Sequence, residues 1–221
     1  MEITIIFDYL IISIIASVAI NSILRNYASQ NNILVDLPDR VRRFHERPTP
    51  LTGGVGIFLA LLLSGKIYID LNNLNGYVPE FTYYLMVSSV PLVLLFLIDD
   101  FKTLKPSQRI LIQTGISFFI IYTTGIQLES FGNLLGFGVI NLGILSIPIT
   151  IFCVVGIMNA FNMIDGVNGL CSGCAMTSLL LMGFYSGFIY DSMLILIIGS
   201  MIGFLIFNLT IFGKKRGVFL G

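Results

Sequence analysis

Residues 81–100 read Phe81-Thr82-Tyr83-Tyr84-Leu85-Met86-Val87-Ser88-Ser89-Val90-Pro91-Leu92-Val93-Leu94-Leu95-Phe96-Leu97-Ile98-Asp99-Asp100. No charge falls between Phe81 and Ile98, and then two aspartates arrive together. About 20 apolar residues of helix cross a hydrocarbon core. The run therefore predicts a transmembrane helix that ends at a charged membrane surface. Working outward, similar runs extend from Ile3 to Leu24, Val55 to Ile69, Ile110 to Gly125, Leu142 to Met158, Cys171 to Ile189 and Met193 to Phe212. Together they predict an all-α, polytopic transmembrane helix bundle with about seven spans, a single membrane domain over residues 1–221. The first run reads as a retained helix. Glu2 and Asp8 stand where a cleaved signal would carry positive charge.

Composition agrees. The 221 residues are 56% hydrophobic and 11% charged, with a mean hydropathy of +0.93, which excludes an ordinary soluble domain. Twelve basic residues balance twelve acidic ones, so the total gives no reason to expect nucleic acid. The bilayer is the expected partner. Nothing in the sequence fixes the oligomeric state, and a homo-oligomer is admitted. Cys171 and Cys174 form a C-x-x-C, but with Cys153 the only other cysteine and His45 the only histidine, helix packing explains them better than zinc.

Orientation follows from charge placement. Arg25, Arg40, Arg42, Arg43 and Arg47 lie in the first connection, Lys102, Lys105 and Arg109 in the third, and Lys214, Lys215 and Arg216 in the tail; Lys66 alone lies elsewhere. Basic residues accumulate in cytoplasmic loops, so the N-terminus is expected outside and the odd-numbered loops in the cytoplasm. The loop near 159–170 carries no Lys or Arg, and its side follows from counting helices. The outer stretch 128–143, rich in Gly, Phe and Leu, reads equally as a short interfacial helix or a hairpin.

Four stretches carry chemistry. The first, residues 35–54, holds Arg42, Arg43, His45, Arg47 and Thr49 among three prolines, followed by Gly53-Gly54. Arginine forks match phosphate oxygens, proline keeps neighbours such as Thr49 extended, and paired glycines let a backbone come close to something. Anchoring to anionic headgroups explains the arginines equally well, and His45 reads as structural or as a hydrogen-bond donor. In the second stretch, Asp99 and Asp100 sit at a helix C-terminus, where partial negative charge disfavours them. Mg²⁺ on phosphates would relieve that repulsion, as would simple neutralisation by Lys102 and Lys105. In the third, Asn159, Asn162 and Asp165 recur at every third place in a Met-Ala-Phe-Ile helix that Gly166 and Gly169 would open into a turn. Buried amides and a carboxylate at membrane depth call for partners, either a shared polar ligand or a neighbouring helix. The fourth joins Asn208, the basic cluster and Phe219, which suits a nucleotide's base and phosphates, although anchoring again explains the cluster.

In this order and on one membrane face, the stretches Asp36 to Gly54, Asp99-Asp100 with Leu104, Asn159 to Gly166, and Val218-Phe219-Leu220-Gly221 resemble the polyprenyl-phosphate N-acetylhexosamine 1-phosphate transferases, glycosyltransferase family 4. The resemblance spans nearly the whole chain and is nearest the branch that loads N-acetylglucosamine 1-phosphate onto undecaprenyl phosphate. It implies an enzyme that takes UDP-GlcNAc and undecaprenyl phosphate, uses Mg²⁺ or Mn²⁺, and releases UMP. Such an enzyme begins surface glycans such as O-antigen or enterobacterial common antigen, at the cytoplasmic face of a bacterial inner membrane.

Under this resemblance Asp99 assists the lipid phosphate as base, Asp100 and Asp165 meet the metal, and all three are catalytic. Arg42, Arg43, His45, Arg47, Thr49, Asn159, Asn162, Asn168, Asn208 and Phe219 meet substrate. The site is expected to converge at the inner leaflet around one divalent ion. Asn168 stands where the family usually has a further aspartate. The family also continues past the position of Gly221, through another aspartate and further helices, so the chain is expected to be the N-terminal portion of a longer fold. Two alternatives stay open: a phospho-N-acetylmuramoyl-pentapeptide transferase, and a non-catalytic membrane remnant or binding protein; a transporter is disfavoured, since no charged residue lies centrally in a span and no inverted repeat is visible.

Overall fold

The computed structural model describes residues 3–36, 48–72, 80–102, 104–211, 213 and 217–220. Its elements in chain order are α1 (Ile3–Asn31), β1 (Val35–Asp36), β2 (Thr49–Pro50), α2 (Gly53–Leu71), α3 (Glu80–Lys102), α4 (Pro106–Thr124), a 3₁₀ turn (Gly143–Leu145), α5 (Ser146–Ile164), α6 (Leu170–Tyr185) and α7 (Ser192–Asn208). Each predicted apolar run holds one of these helices, although α6 stops at Tyr185 and α7 at Asn208, short of the predicted ends. The chain is an all-α membrane helix bundle: among the described residues Ile6–Asn31, Gly53–Leu71 and Gly143–Ile164 are long and apolar enough to cross a bilayer, and α6 and α7 are shorter apolar helices.

The chain divides into two compact units, Met1–Val78 with Ile164–Gly221, and Pro79–Met163. In the first unit α1 packs chiefly on α7 and α2. Small residues make this possible. Gly199 faces Ser13 and the Leu10 carbonyl, and Gly203 faces Ser17 and the Ile14 carbonyl, two small-xxx-small edges in contact. Ser17 donates to the Ser200 carbonyl across that seam at 2.6 Å. Close approach of backbones gives dispersion and hydrogen bonding in a solvent where apolar burial alone gives little. Below the seam lies a core of Phe204, Phe207 and Val218, flanked by Val18, Ile57, Leu205 and Leu220.

α1 continues past the end of its apolar run at Leu24 to Asn31. The apolar run measures immersion in lipid, whereas helix length is set by where backbone bonding stops. Here it stops with Asn32 left-handed at φ 53°, a common way for a helix to end. β1 and β2 then pair antiparallel, Val35 opposite Pro50 and Asp36 opposite Thr49, so Thr49 is extended as its prolines predicted.

In the second unit α3 packs on α4. Pro106 occupies the first turn of α4, where its missing N–H costs nothing, and the Lys105 N–H donates to Gln108 Oε1 at 3.1 Å. The stretch 128–143 resolves as a short hairpin. Ser130 bridges Asn141, the Phe131 N–H donates to the Ile140 carbonyl at 3.0 Å, and the Leu142 N–H to the Glu129 carbonyl at 2.9 Å. Thr150, in α5, ties this segment down by accepting the Leu128 N–H at 2.8 Å.

Candidate functional site

Two polar assemblies hold the predicted residues, one in each unit. In the Pro79–Met163 unit, Asp99 lies in the last turn of α3. One oxygen, Oδ1, accepts the Leu104 N–H at 2.8 Å, and the other meets Arg109 Nη2 at 2.5 Å. The pair is mostly enclosed, with the Asp99 side chain 11% and the Arg109 side chain 25% exposed. Neutralisation by Lys102 and Lys105 is one of the two readings of this stretch; for Asp99 the structure supplies instead an arginine in the next helix. Asp100 is half-buried beside it.

Four residues after Arg109, on the same face of α4, Gln113 is fully buried. Its Oε1 accepts from Asn159 Nδ2 at 2.8 Å, and that amide also donates to the Val155 carbonyl at 2.8 Å. Asn159 therefore has a helix partner, as one of the two sequence readings required. Asn162, one turn on, is exposed. Gln113 Nε2 and Arg109 Nε are buried and find no acceptor among the described residues. The sequence reading missed both residues as site members. The available signal was the spacing of Arg109, Gln113 and Ser117 along α4, a polar line in an Ile-Leu-Phe helix.

The other unit holds the Asp165 turn, the start of α2 and the tail. α5 ends at Ile164, so Asp165 stands just beyond the membrane-spanning segment rather than on the helix. Gly169 adopts φ 78°, and any Cβ there would lie 2.6 Å from Leu209 Cδ2. Gly166 needs no such conformation. Asp165 is half-buried, and burial raises its carboxyl from the usual 3.8 to about 6. Among the described residues no donor or cation neutralises it. Asn168 is exposed beside it.

The close approach expected at Gly53-Gly54 is present, and what approaches is the chain's own tail. The Gly53 N–H donates to the Phe219 carbonyl at 2.9 Å and the Gly54 N–H to the Leu220 carbonyl at 2.7 Å, while the Phe219 N–H returns to the Pro50 carbonyl at 2.9 Å. A Cβ at Gly53 would collide with the Phe204 ring and come within 2.7 Å of the Phe219 carbonyl oxygen. Two of the orphan donors at the α2 N-terminus, the Gly53 and Gly54 N–H groups, are thus satisfied by protein carbonyls.

Asn208 joins the parts. It is buried, its Oδ1 accepts the Gly169 N–H at 2.5 Å, and its Nδ2 donates to the Val218 carbonyl at 3.0 Å. Phe219 is half-buried in the tail so held. Arg25 places its guanidinium 5.8 Å from the centre of the Phe207 ring, a cation–π contact. Arg42, Arg43, His45 and Arg47 lie outside the described residues.

A divalent ion fits what is present. Asp165 is a poorly compensated carboxylate, which a cation would return to its charged form. No three of His, Cys, Asp and Glu gather together among the described residues. Mg²⁺ commonly takes only one or two carboxylates and fills its octahedron with phosphate and water.

Known proteins give this arrangement a context. The sequence profile described as Glycosyl transferase family 4 matches residues 82–221. The undecaprenyl-phosphate alpha-N-acetylglucosaminyl 1-phosphate transferase of Yersinia pestis is 29% identical over 192 residues, covering 85% of this chain and 50% of the relative. The protein of the same name from Escherichia coli K12 is 28% identical with the same coverage. The probable undecaprenyl-phosphate N-acetylglucosaminyl 1-phosphate transferase of Bacillus subtilis 168 is 27% identical over 96% of this chain and 59% of its own length. The chain spans about half the length of the curated relatives it matches.

Proposed function

Because the chain belongs to glycosyl transferase family 4, we propose that it serves transfer of N-acetylglucosamine 1-phosphate from UDP-GlcNAc to undecaprenyl phosphate. A lipid phosphate oxygen attacks the sugar-side phosphorus, the bond between the two phosphates breaks, and UMP leaves. The products are GlcNAc-diphosphate-undecaprenol, which starts a surface glycan, and UMP. The observation that carries the reading is the match of residues 82–221, which hold Asp99, Asp100 and the half-buried Asp165, to this family, together with relatives named for this activity.

The chain's residues then divide the work. Both substrates are anions, so the first task is to bring phosphates together against their repulsion. Asp100 and Asp165 are assigned to hold Mg²⁺ or Mn²⁺, which when bound supplies positive charge to the phosphates. Asp99, held by Arg109 and the Leu104 N–H, keeps a fixed carboxylate as base toward the lipid phosphate. Arg42, Arg43, His45, Arg47 and Thr49 are assigned to phosphate contacts, Asn159, Asn162 and Asn168 to sugar-nucleotide hydrogen bonds, and Phe219 to stacking on the base. The same reading puts seven spans in the bacterial inner membrane, with the N-terminus outside and the reacting face in the cytoplasm.

The test is transfer of label from UDP-[¹⁴C]GlcNAc into undecaprenyl-linked product in membranes. It compares the chain alone with a chimera that carries the C-terminal part of the Bacillus subtilis relative after it. Unlabelled UDP-GlcNAc should compete, and UDP-N-acetylmuramoyl-pentapeptide should not. Preferential competition by the latter would move the chain to peptidoglycan precursor synthesis.

A further inference from the structure

The Asp165 turn, the end of α7, the tail and the start of α2 are remote in sequence, yet one side chain fastens them. Asn208 accepts from the Gly169 N–H at 2.5 Å and donates to the Val218 carbonyl at 3.0 Å. The two residues after Val218, Phe219 and Leu220, are held by three backbone bonds to Pro50, Gly53 and Gly54. Val218 is fully buried. Among short side chains only asparagine offers an acceptor and a donor on one planar group. Aspartate of the same size keeps the bond to Gly169 but offers the Val218 carbonyl no proton, and leucine makes neither bond. Because both ends of the Asn208 amide meet backbone and the residue is buried, substrate contact does not account for its chemistry.

We infer that Asn208 is a positioning residue: it couples the seating of the tail on α2 to the geometry of the Asp165 turn. A tail that lifts from Gly53 and Gly54 pulls Val218 away from the amide, and the amide then loses its fixed hold on the Gly169 N–H. Binding that orders Phe219 therefore also orders the turn that carries Asp165. The functional half of this inference rests on the proposed transferase reading; the mechanical half does not.

Two measurements separate them. In a background with Cys153, Cys171 and Cys174 changed to serine, Val218→Cys is exposed to a hydrophilic maleimide, with Ser200→Cys at the buried α1–α7 seam as control. Asn208→Ala and Asn208→Asp should each speed labelling at position 218 by about tenfold or more while the control stays closed. An unchanged rate at position 218 overturns the inference. So does parallel opening of the control, since Asn208 would then support the whole unit rather than this joint.

In the chimera, a positioning role predicts that Asn208→Ala lowers kcat about tenfold with KM for UDP-GlcNAc changed less than about threefold. A raised KM with kcat intact would make Asn208 a substrate contact and overturn the inference. If the wild-type chimera transfers no sugar, the proposed reaction fails while the labelling result still decides the joint.

Discussion

Arg109→Met removes the guanidinium from Asp99 while leaving a side chain of similar reach in its place. Nη2 stands 2.5 Å from Asp99 Oδ2, with the two side chains 25% and 11% exposed. Removing one partner from a fully buried pair costs about 3–5 kcal/mol, and an exposed pair contributes under about 1 kcal/mol. Asp99 keeps the Leu104 N–H at 2.8 Å and lies near a helix end, so the expected loss is about 2 kcal/mol, close to one charge-assisted hydrogen bond.

Asp99→Asn retains an acceptor for Leu104, removes the charge, and should cost a similar amount. The double variant should then cost about 2 rather than about 4 kcal/mol, since the second change has no pair left to break. SDS titration of the detergent-solubilised protein, followed by circular dichroism, measures all four states. Activity separates the roles. A general base contributes about 10²–10⁴-fold, so Asp99→Asn should abolish transfer on that scale, whereas Arg109→Met, with the carboxylate intact, should retain more than about a tenth of it. Costs that add within about 0.5 kcal/mol would refute the coupling, and full activity in Asp99→Asn would refute the base assignment.

Gly203→Val should destabilise the α1–α7 seam by about 1–3 kcal/mol through overpacking, because even a Cβ there would lie 2.5 Å from Ser17 Cβ and 2.8 Å from the Ile14 carbonyl; the same titration reads it. Gln113→Leu should leave stability within about 1 kcal/mol of wild type, since the loss of the Asn159 bond is offset by removal of an Nε2 donor that has no acceptor among the described residues. A loss above about 3 kcal/mol would show that the donor has a partner. For the metal, the Asp165 carboxyl is raised by burial to about 6 and must be ionised to ligate. Mn²⁺ affinity, read by electron paramagnetic resonance, should thus be flat above that pH and fall by up to about tenfold per unit below it. A fall centred near the ordinary aspartate value would remove Asp165 from the ligand set.

The helices were legible because immersion in lipid demands long apolar runs, and that demand is local in sequence. Pro91 did not interrupt α3, consistent with the tolerance of proline in membrane helices. The ends were less legible. α1 runs on through Arg25 to Asn31, since polar residues stop immersion without stopping backbone hydrogen bonding. Asp165 was placed on the Asn159–Asn162 helix stripe by periodicity, but α5 ends one residue earlier and Gly169 takes the left-handed turn. Site residues showed themselves where chemistry clusters along the chain, as at Asp99-Asp100. They stayed hidden where a partner arrives from another helix, as Arg109 does for Asp99 and Gln113 for Asn159. The glycine pair at 53–54 signalled close approach correctly, but no local pattern could name Phe219 and Leu220 as what approaches, because that contact joins segments remote in sequence.

The proposed reaction makes one product in lipid and one in water, so measuring both together tests it most directly. Membranes carrying the chimera, given undecaprenyl phosphate, Mg²⁺ and UDP-GlcNAc labelled in the sugar and in the uridine, should yield lipid-linked GlcNAc and free UMP in equal amounts. The same membranes with Asp165→Asn should yield neither. UMP without lipid-linked sugar, or equal yields from Asp165→Asn, would contradict the account.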